Sequence, residues 1–186
     1  MLRTRLRLSC STHSILLKTM PSWLAALPAA QLATTHSLIA RKLATTRRVV
    51  CGSPAYLTQR GAPKTPQQLR EHNYLTYSYN PQPKIFTFKR GSEEEIVYFD
   101  GDVQVNNGNL LLQFALDGHG IVLLPTFLVS ADLEVGRLVH VLGDYNAREL
   151  GIYALYSNRK FVPAKVRSFL DFLLERFGDN AYWDEW

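Results

Sequence analysis

The stretch from Asp102 to Val129, DVQVNNGNLLLQFALDGHGIVLLPTFLV, leaves the chain few folds to choose from. Val103 and Val105 alternate as on a strand. Asn106 or Asn107 can cap a helix, because a short side-chain oxygen accepts from the free N–H groups of a first turn. Leu110, Leu111, Phe114 and Ala115 recur at helical spacing, and Gly118 supplies a stop that tolerates positive φ. Ile121 to Leu124 is a short apolar strand closed by Pro125, and a second helix starts behind it. Two strands joined by a helix imply a right-handed βαβ unit with parallel strands. Such units hold ligands at the carboxyl ends of their strands, where helix N-termini point. Here that edge carries Asn106, Asn107 and Gly108, then Leu124, Pro125 and Thr126, with no nucleophile beside a base. It reads as a place that holds a molecule without transforming it.

At 186 residues, 46% hydrophobic and 20% charged, the chain has room for one substantial core or two small ones. Two cysteines, Cys10 and Cys51, are too few for a disulfide framework and lean towards a reducing compartment. The formal charge of +5 hides an asymmetry. Eleven of the 21 Lys and Arg precede Glu71, the first acidic residue, so the remainder is acidic. The basic balance is therefore no argument that a folded part binds nucleic acid.

Residues 1–36 do not read as a folded unit. Arg3, Arg5 and Arg7 alternate with other residues, and the apolar run from Ile15 to Leu32 is broken by Lys18, Pro21 and Pro28, too short and interrupted to cross a membrane. An acid-free, Arg- and Ser-containing start is similar to a targeting peptide, but no cleavage pattern follows. The alternatives are a disordered tail or a segment foreign to the domain behind it, and the last is preferred.

From Ser37 the texture changes. Basic residues lead into a strand at Arg47–Cys51; Ser53 then caps and Pro54 opens a helix to Gln59, which Gly61 stops. Thr65-Pro66 opens another to His72, and Tyr74–Tyr77 is a strand. Asn80 to Pro83 is a proline loop. Ile85–Phe88 and Ile96–Phe99 form a hairpin across Gly91-Ser92. Beyond the βαβ unit come a helix to Val135, strands at Leu138–Leu142 and Ile152–Tyr156, and a last helix opened by Pro163. Val166, Phe169, Leu170, Leu173 and Phe177 share one of its faces, and Arg167 can meet Asp171. The tail DNAYWDEW is expected on the surface.

The chemistry of catalysis is missing from the sequence. Gly118-His119-Gly120 lacks the third glycine of a dinucleotide fingerprint and follows a helix, not a strand. His72 and His140 have no ligand at metal spacing, so neither a metal nor a cofactor is expected. Ser53 is a cap and not a nucleophile elbow, and Cys51 reads as a small buried apolar residue. No catalytic residue is assigned, and the chain is not expected to be an enzyme.

The segments RRVVCGSPAYLTQRGAPKTPQQLREHNYLTY, VNNGNLLLQFALDGHGIVLLPTFLV, GRLVHVL and PAKVRSFLDFLLERFG, in this order, resemble the effector-binding (substrate-binding) domain of LysR-type transcriptional regulators. The likeness runs from about Ser37 to Gly178, and residues 179–186 resemble the tail of a subgroup of the family. It implies an α/β, periplasmic-binding-protein-like (type 2) fold of two lobes, with a small-molecule effector in the cleft to control transcription in the cytoplasm. Residues 52–148 would be a complete second lobe, and 149–178 would return to a first lobe that is only partial. The family's winged helix-turn-helix is not recognisable in residues 1–36, so the chain reads as the truncated back portion of a regulator, with a shifted frame or misplaced start as the source of its N-terminus. DNA would then be reached only through that missing module, by a homo-oligomeric parent and away from any membrane. The rival reading is a periplasmic-type solute-binding protein.

Carried over residue by residue, the resemblance implies ligand contacts at Tyr77, Ser78, Tyr79, Asn106, Asn107, Leu124, Pro125 and Thr126. For the two asparagines, plain helix capping stands beside ligand contact. The crossings between lobes would be hinges at Val50, Cys51, Gly52 and Ser53, and at Gly151 and Ile152. Helix N-termini favour an anionic group on the effector. With most of the first lobe missing, the last helix is expected to leave Phe169, Leu170, Leu173 and Phe177 short of partners and to drive self-association.

Overall fold

The computed structural model describes residues 6–8, 38–78, 84–98, 101, 103–157, 162–177 and 182–186. In chain order the elements are β1 (Leu6–Leu8), β2 (Leu38–Thr46), β3 (Arg48–Gly52), α1 (Pro54–Arg60), a 3-10 helix (Pro66–Glu71), β4 (Tyr74–Tyr77), β5 (Ile85–Arg90), β6 (Glu93–Tyr98) and β7 (Val103–Val105). There follow α2 (Gly108–Leu116), β8 (Ile121–Pro125), α3 (Thr126–Glu134), β9 (Val139–Val141), β10 (Asn146–Ala147), β11 (Leu150–Ser157), α4 (Ala164–Phe177) and a second 3-10 helix (Tyr182–Asp184). The chain divides into two compact units. The first holds residues 1–13, 47–148 and Trp186; the second holds residues 14–46 and 149–185.

Among the described residues, unit 1 is built on a six-stranded sheet of order β1-β7-β4-β8-β3-β9. β7, β4 and β8 run parallel, while β3 is antiparallel to both β8 and β9. From β7 the chain crosses through α2 over β4 to reach β8, so the expected βαβ unit spans one intervening strand. The alternation of side chains explains the layering. Val49, Cys51, Leu75, Val122 and Leu124 point to one face and pack with Leu111 and Ala115 of α2 and Val129 of α3. Val50, Tyr74 and Ile121 point to the other, where they meet Tyr56 and Leu57 of α1, Leu69, and Phe86, Phe88 and Val97. Those last three belong to a small antiparallel sheet, β10-β5-β6, whose β5–β6 part is the hairpin turned at Gly91.

The helix ends follow their local chemistry. Ser53 Oγ accepts from Tyr56 N–H at 3.4 Å, Pro54 occupies the first turn, and Gly61 closes α1 at φ 82°. Gly118 stops α2 at φ 78°, and Gly120 lies where a Cβ would collide with the Asn73 carbonyl. His119 stacks edge-on to Phe114. Gly118-His119-Gly120 is thus a turn of fixed shape. Pro66–Glu71 is a 3-10 helix, tighter than the helix expected there, and Thr65 gives it no side-chain cap.

Unit 2 pairs β2 and β11 antiparallel, from Thr46↔Leu150 to Leu38↔Ser157, with a register shift at Ile152/Tyr153. α4 packs on this ribbon: Leu170 and Phe177 are buried with Leu43, Ala44, Ile152, Ala154 and Trp183, and Val166 and Leu173 pack against them half-buried. Three expectations are corrected here. Residues 38–46 form a nine-residue strand, and this strand supplies the partner that α4 was expected to lack. Trp183 is only 2% exposed and stacks on Phe177, so that part of the tail lies inside. Asp171 takes Arg41 of β2 at 3.4 Å, a partner on the ribbon and not on its own helix. Of the expected large apolar face, Phe169 stays about half exposed.

Within residues 1–36, Leu6 to Leu8 form an edge strand paired parallel to β7, with Leu6↔Val103 and Leu8↔Val105. Among the described residues, changes of unit fall at Thr46/Arg47, at Arg148/Glu149 and at Glu185/Trp186. Val50, Cys51 and Gly52 lie within β3, paired on both sides, and Ser53 caps α1, so all four are inside unit 1. The long segment of unit 1 runs from Arg47 to Arg148. Gly151 and Ile152 lie in β11, close behind the second change.

Candidate functional site

The carboxyl ends of β7, β4 and β8 lie side by side, neighbours being about 4.8 Å apart. Ser78 follows β4, Asn106 follows β7, and Pro125-Thr126 turns β8 directly into α3. The starts of α2 and α3 share this edge. Gly108 permits their approach, since a Cβ there would come within 2.9 Å of Leu128 Cδ1.

The two asparagines are distinguished by geometry. Asn107 Oδ1 accepts from Asn109 N–H at 2.9 Å and from Leu110 N–H at 3.2 Å, which makes it the cap of α2. Asn106, one residue earlier and half-buried, is not the cap. Tyr77 is 40% exposed at the end of β4, and Ser78 donates its N–H to Val105 O at 2.9 Å, which holds the ends of β4 and β7 together. Leu124 spends its side chain on the core beside Val49 and Val129. Pro125 is half-buried, with extended backbone, at the cap position of α3, which has no side-chain cap bond. Thr126 is fully buried; its N–H (2.9 Å) and its Oγ1 (3.3 Å) both donate to Arg47 O. Tyr79 lies outside the described residues.

Two residues at this edge, Arg47 and Arg48, were expected only as the basic approach to a strand. Arg48 pairs with Pro125 across β3 and β8, and its Nε donates to Arg148 O at 2.7 Å. Burial pulls its guanidinium pKa down, opposed by Tyr74 and reinforced by Arg148. The only sequence signal was a pair of basic residues before an apolar strand, and its partner stands a hundred residues away. Cys51 is fully buried; desolvation, with the charge of Asp132, pushes its thiol up to about 12, so it is a core residue with no nucleophilic character at neutral pH. Among the described residues no group of three or more His, Cys, Asp or Glu could hold a metal ion, and no helix is long and apolar enough to cross a membrane.

The mixed α/β fold of the described residues, with parallel strands ending beside two helix starts, is that of effector-sensing regulatory domains with a periplasmic-binding-protein-like architecture, as the following comparisons show. The chain belongs to the LysR substrate binding domain family, whose model matches residues 25–178, a span that begins ahead of Ser37. Its relatives include the HTH-type transcriptional regulator PtxR of Pseudomonas aeruginosa, 33% identical over 145 residues, covering 78% of this chain and 46% of that protein. DmlR of Escherichia coli, another HTH-type transcriptional regulator, is 33% identical over 77% of this chain and 47% of its own length. Among solved structures, the regulatory domain of CrgA, a LysR-type regulator from Neisseria meningitidis, is 30% identical with a TM-score of 0.68, over 76% of this chain and 70% of that one. The full-length Vibrio cholerae virulence activator AphB is 30% identical with a TM-score of 0.66, over 77% of this chain and 49% of that one. The chain spans about half the length of the curated relatives it matches. These matches do not favour the solute-binding-protein alternative.

Proposed function

We propose that this domain senses a small anionic effector at the carboxyl edge of β7, β4 and β8, and that it does so as part of a cytoplasmic LysR-type transcriptional regulator. The observation that carries the reading is the convergence on that edge of three parallel strand ends and two helix starts, one of which, α3, has no side-chain cap. The positive end of a helix dipole stabilises an anion there by about 0.3–1 kcal/mol. Asn106, Ser78, Tyr77 and Tyr79 are the contacts assigned to the ligand; Asn107 acts through the cap, Leu124 through its place in the core, and Pro125 and Thr126 through the turn that Thr126 fixes on the Arg47 carbonyl. The domain binds and does not catalyse. Operator recognition belongs to a helix-turn-helix module of the kind its relatives are named for, in a homo-oligomeric protein. The hinges lie at two of the passages between units, around Thr46–Arg47 and Arg148–Ile152.

A thermal-shift titration of the chain with small carboxylates (acetate, succinate and benzoate as probes) tests this reading. At least one should raise the melting temperature saturably, and Asn106→Ala should abolish that rise. A saturable rise that Asn106→Ala leaves intact, or none with any anionic probe, would refute it.

A further inference from the structure

The β2–β11 ladder ends at the rung Thr46↔Leu150, preceded by Thr45↔Gly151 and Ala44↔Ile152. Two residues further along each strand, the same antiparallel register reaches Arg48 and Arg148. The β2–β11 ladder does not extend to them; Arg48 stands opposite Pro125 in the sheet of unit 1. In place of a backbone rung, Arg48 Nε donates to Arg148 O at 2.7 Å. Arg47 and Arg148 are the residues of unit 1 that adjoin two of its passages to unit 2, at Thr46/Arg47 and Arg148/Glu149, so this bond ties those two passages to one another. The neighbouring Arg47 carbonyl is held twice by Thr126, at the start of α3 and on the candidate ligand edge.

We propose that Arg48 is a positioning residue that links the Thr126 corner of the ligand edge to the second passage, through Arg47, its own side chain and the Arg148 carbonyl. The proposal rests on the effector-sensing reading for its purpose, though the link itself does not depend on any ligand. A cation normally seeks a carboxylate; here one cation donates to the backbone of another, an arrangement that adds no attraction between charges. What it supplies is geometry: a directed N–H at the third heavy atom beyond Cβ. Arg48 is half-buried, and desolvation lowers its guanidinium pKa, in keeping with a side chain laid along the fold.

This separates donor from charge in a simple pair of variants. Arg48→Gln keeps an N–H donor at the same number of bonds from the backbone and removes the charge. Arg48→Met matches the length and removes both. Hydrogen exchange followed by mass spectrometry on the full chain reads the result. In Arg48→Met, segments carrying Thr45–Thr46 and Glu149–Ile152 should exchange roughly tenfold faster, in line with the loss of one directed bond from a charged donor. Segments carrying Leu75 and Val122 should be unchanged, and Arg48→Gln should restore most of the protection. Unchanged exchange in Arg48→Met would overturn the link, as would loss spread equally over unit 1 or failure of Arg48→Gln to rescue. Absence of any effector response would leave this result standing, and the converse also holds, so the two readings can fail separately.

Discussion

Thr126 grips the carbonyl of Arg47 twice, through its N–H at 2.9 Å and its hydroxyl at 3.3 Å. One residue thereby ends β8, begins α3 and fixes the point at which the chain enters unit 1. Thr126→Val keeps the volume and the N–H bond but loses the hydroxyl. A net hydrogen bond is worth about 0.5–1.5 kcal/mol, and at 3.3 Å the low end applies. Urea unfolding of the variant should show a lower midpoint at an unchanged slope; an unchanged midpoint would show that the hydroxyl contributes nothing.

Asn106 and Asn107 should part company on mutation. Asn107→Ala removes the cap of α2 and should cost about 1 kcal/mol of stability. Asn106→Ala should abolish the response to the anionic probes, whereas Asn107→Ala should keep it. Loss of the probe response in Asn107→Ala, or its survival in Asn106→Ala, would contradict the division of roles drawn from the geometry.

Acid should weaken unit 1 through its histidines. His140 sits edge-on to Trp186, with Arg47 near by, and desolvation first, then the Arg47 charge, pulls its pKa below the ordinary value; burial does the same to His72. The folded state therefore prefers neutral imidazole. Stability from this source is present above about pH 6.5, the ordinary histidine value, and is lost as pH falls through the lowered folded-state pKa. Melting temperatures from pH 8 to pH 5 should decline less steeply in His140→Gln than in the parent. Parallel curves would show that His140 carries none of the dependence.

Much of unit 1 was legible because its signals are local. Ser53-Pro54, Asn106-Asn107, Gly118 and Gly136 mark helix ends by chemistry that needs no distant partner, and the alternation around Val49 to Cys51 and Val122 to Leu124 fixes which residue faces which layer. What stayed hidden depends on residues far apart in sequence. LIARKLATT carries two charges in the middle and reads as a polar approach until β11 is laid beside it. Trp183 belongs to an acidic tail, and its burial follows only from Phe177 and the core of unit 2. The candidate ligand edge was found by topology, whereas the part played by Arg48 is set by a carbonyl a hundred residues on.

The central claim, a ligand held at the carboxyl edge of β7, β4 and β8, is tested most directly by amide chemical shifts. The full chain, labelled with nitrogen-15, would be titrated with whichever of acetate, succinate or benzoate raises its melting temperature. The largest shifts should fall on Tyr77-Ser78, Asn106 to Gly108 and Thr126-Phe127, saturating together, with the amides of β5 and β6 unmoved. Shifts that cluster elsewhere, or scatter without saturating, would contradict the assignment.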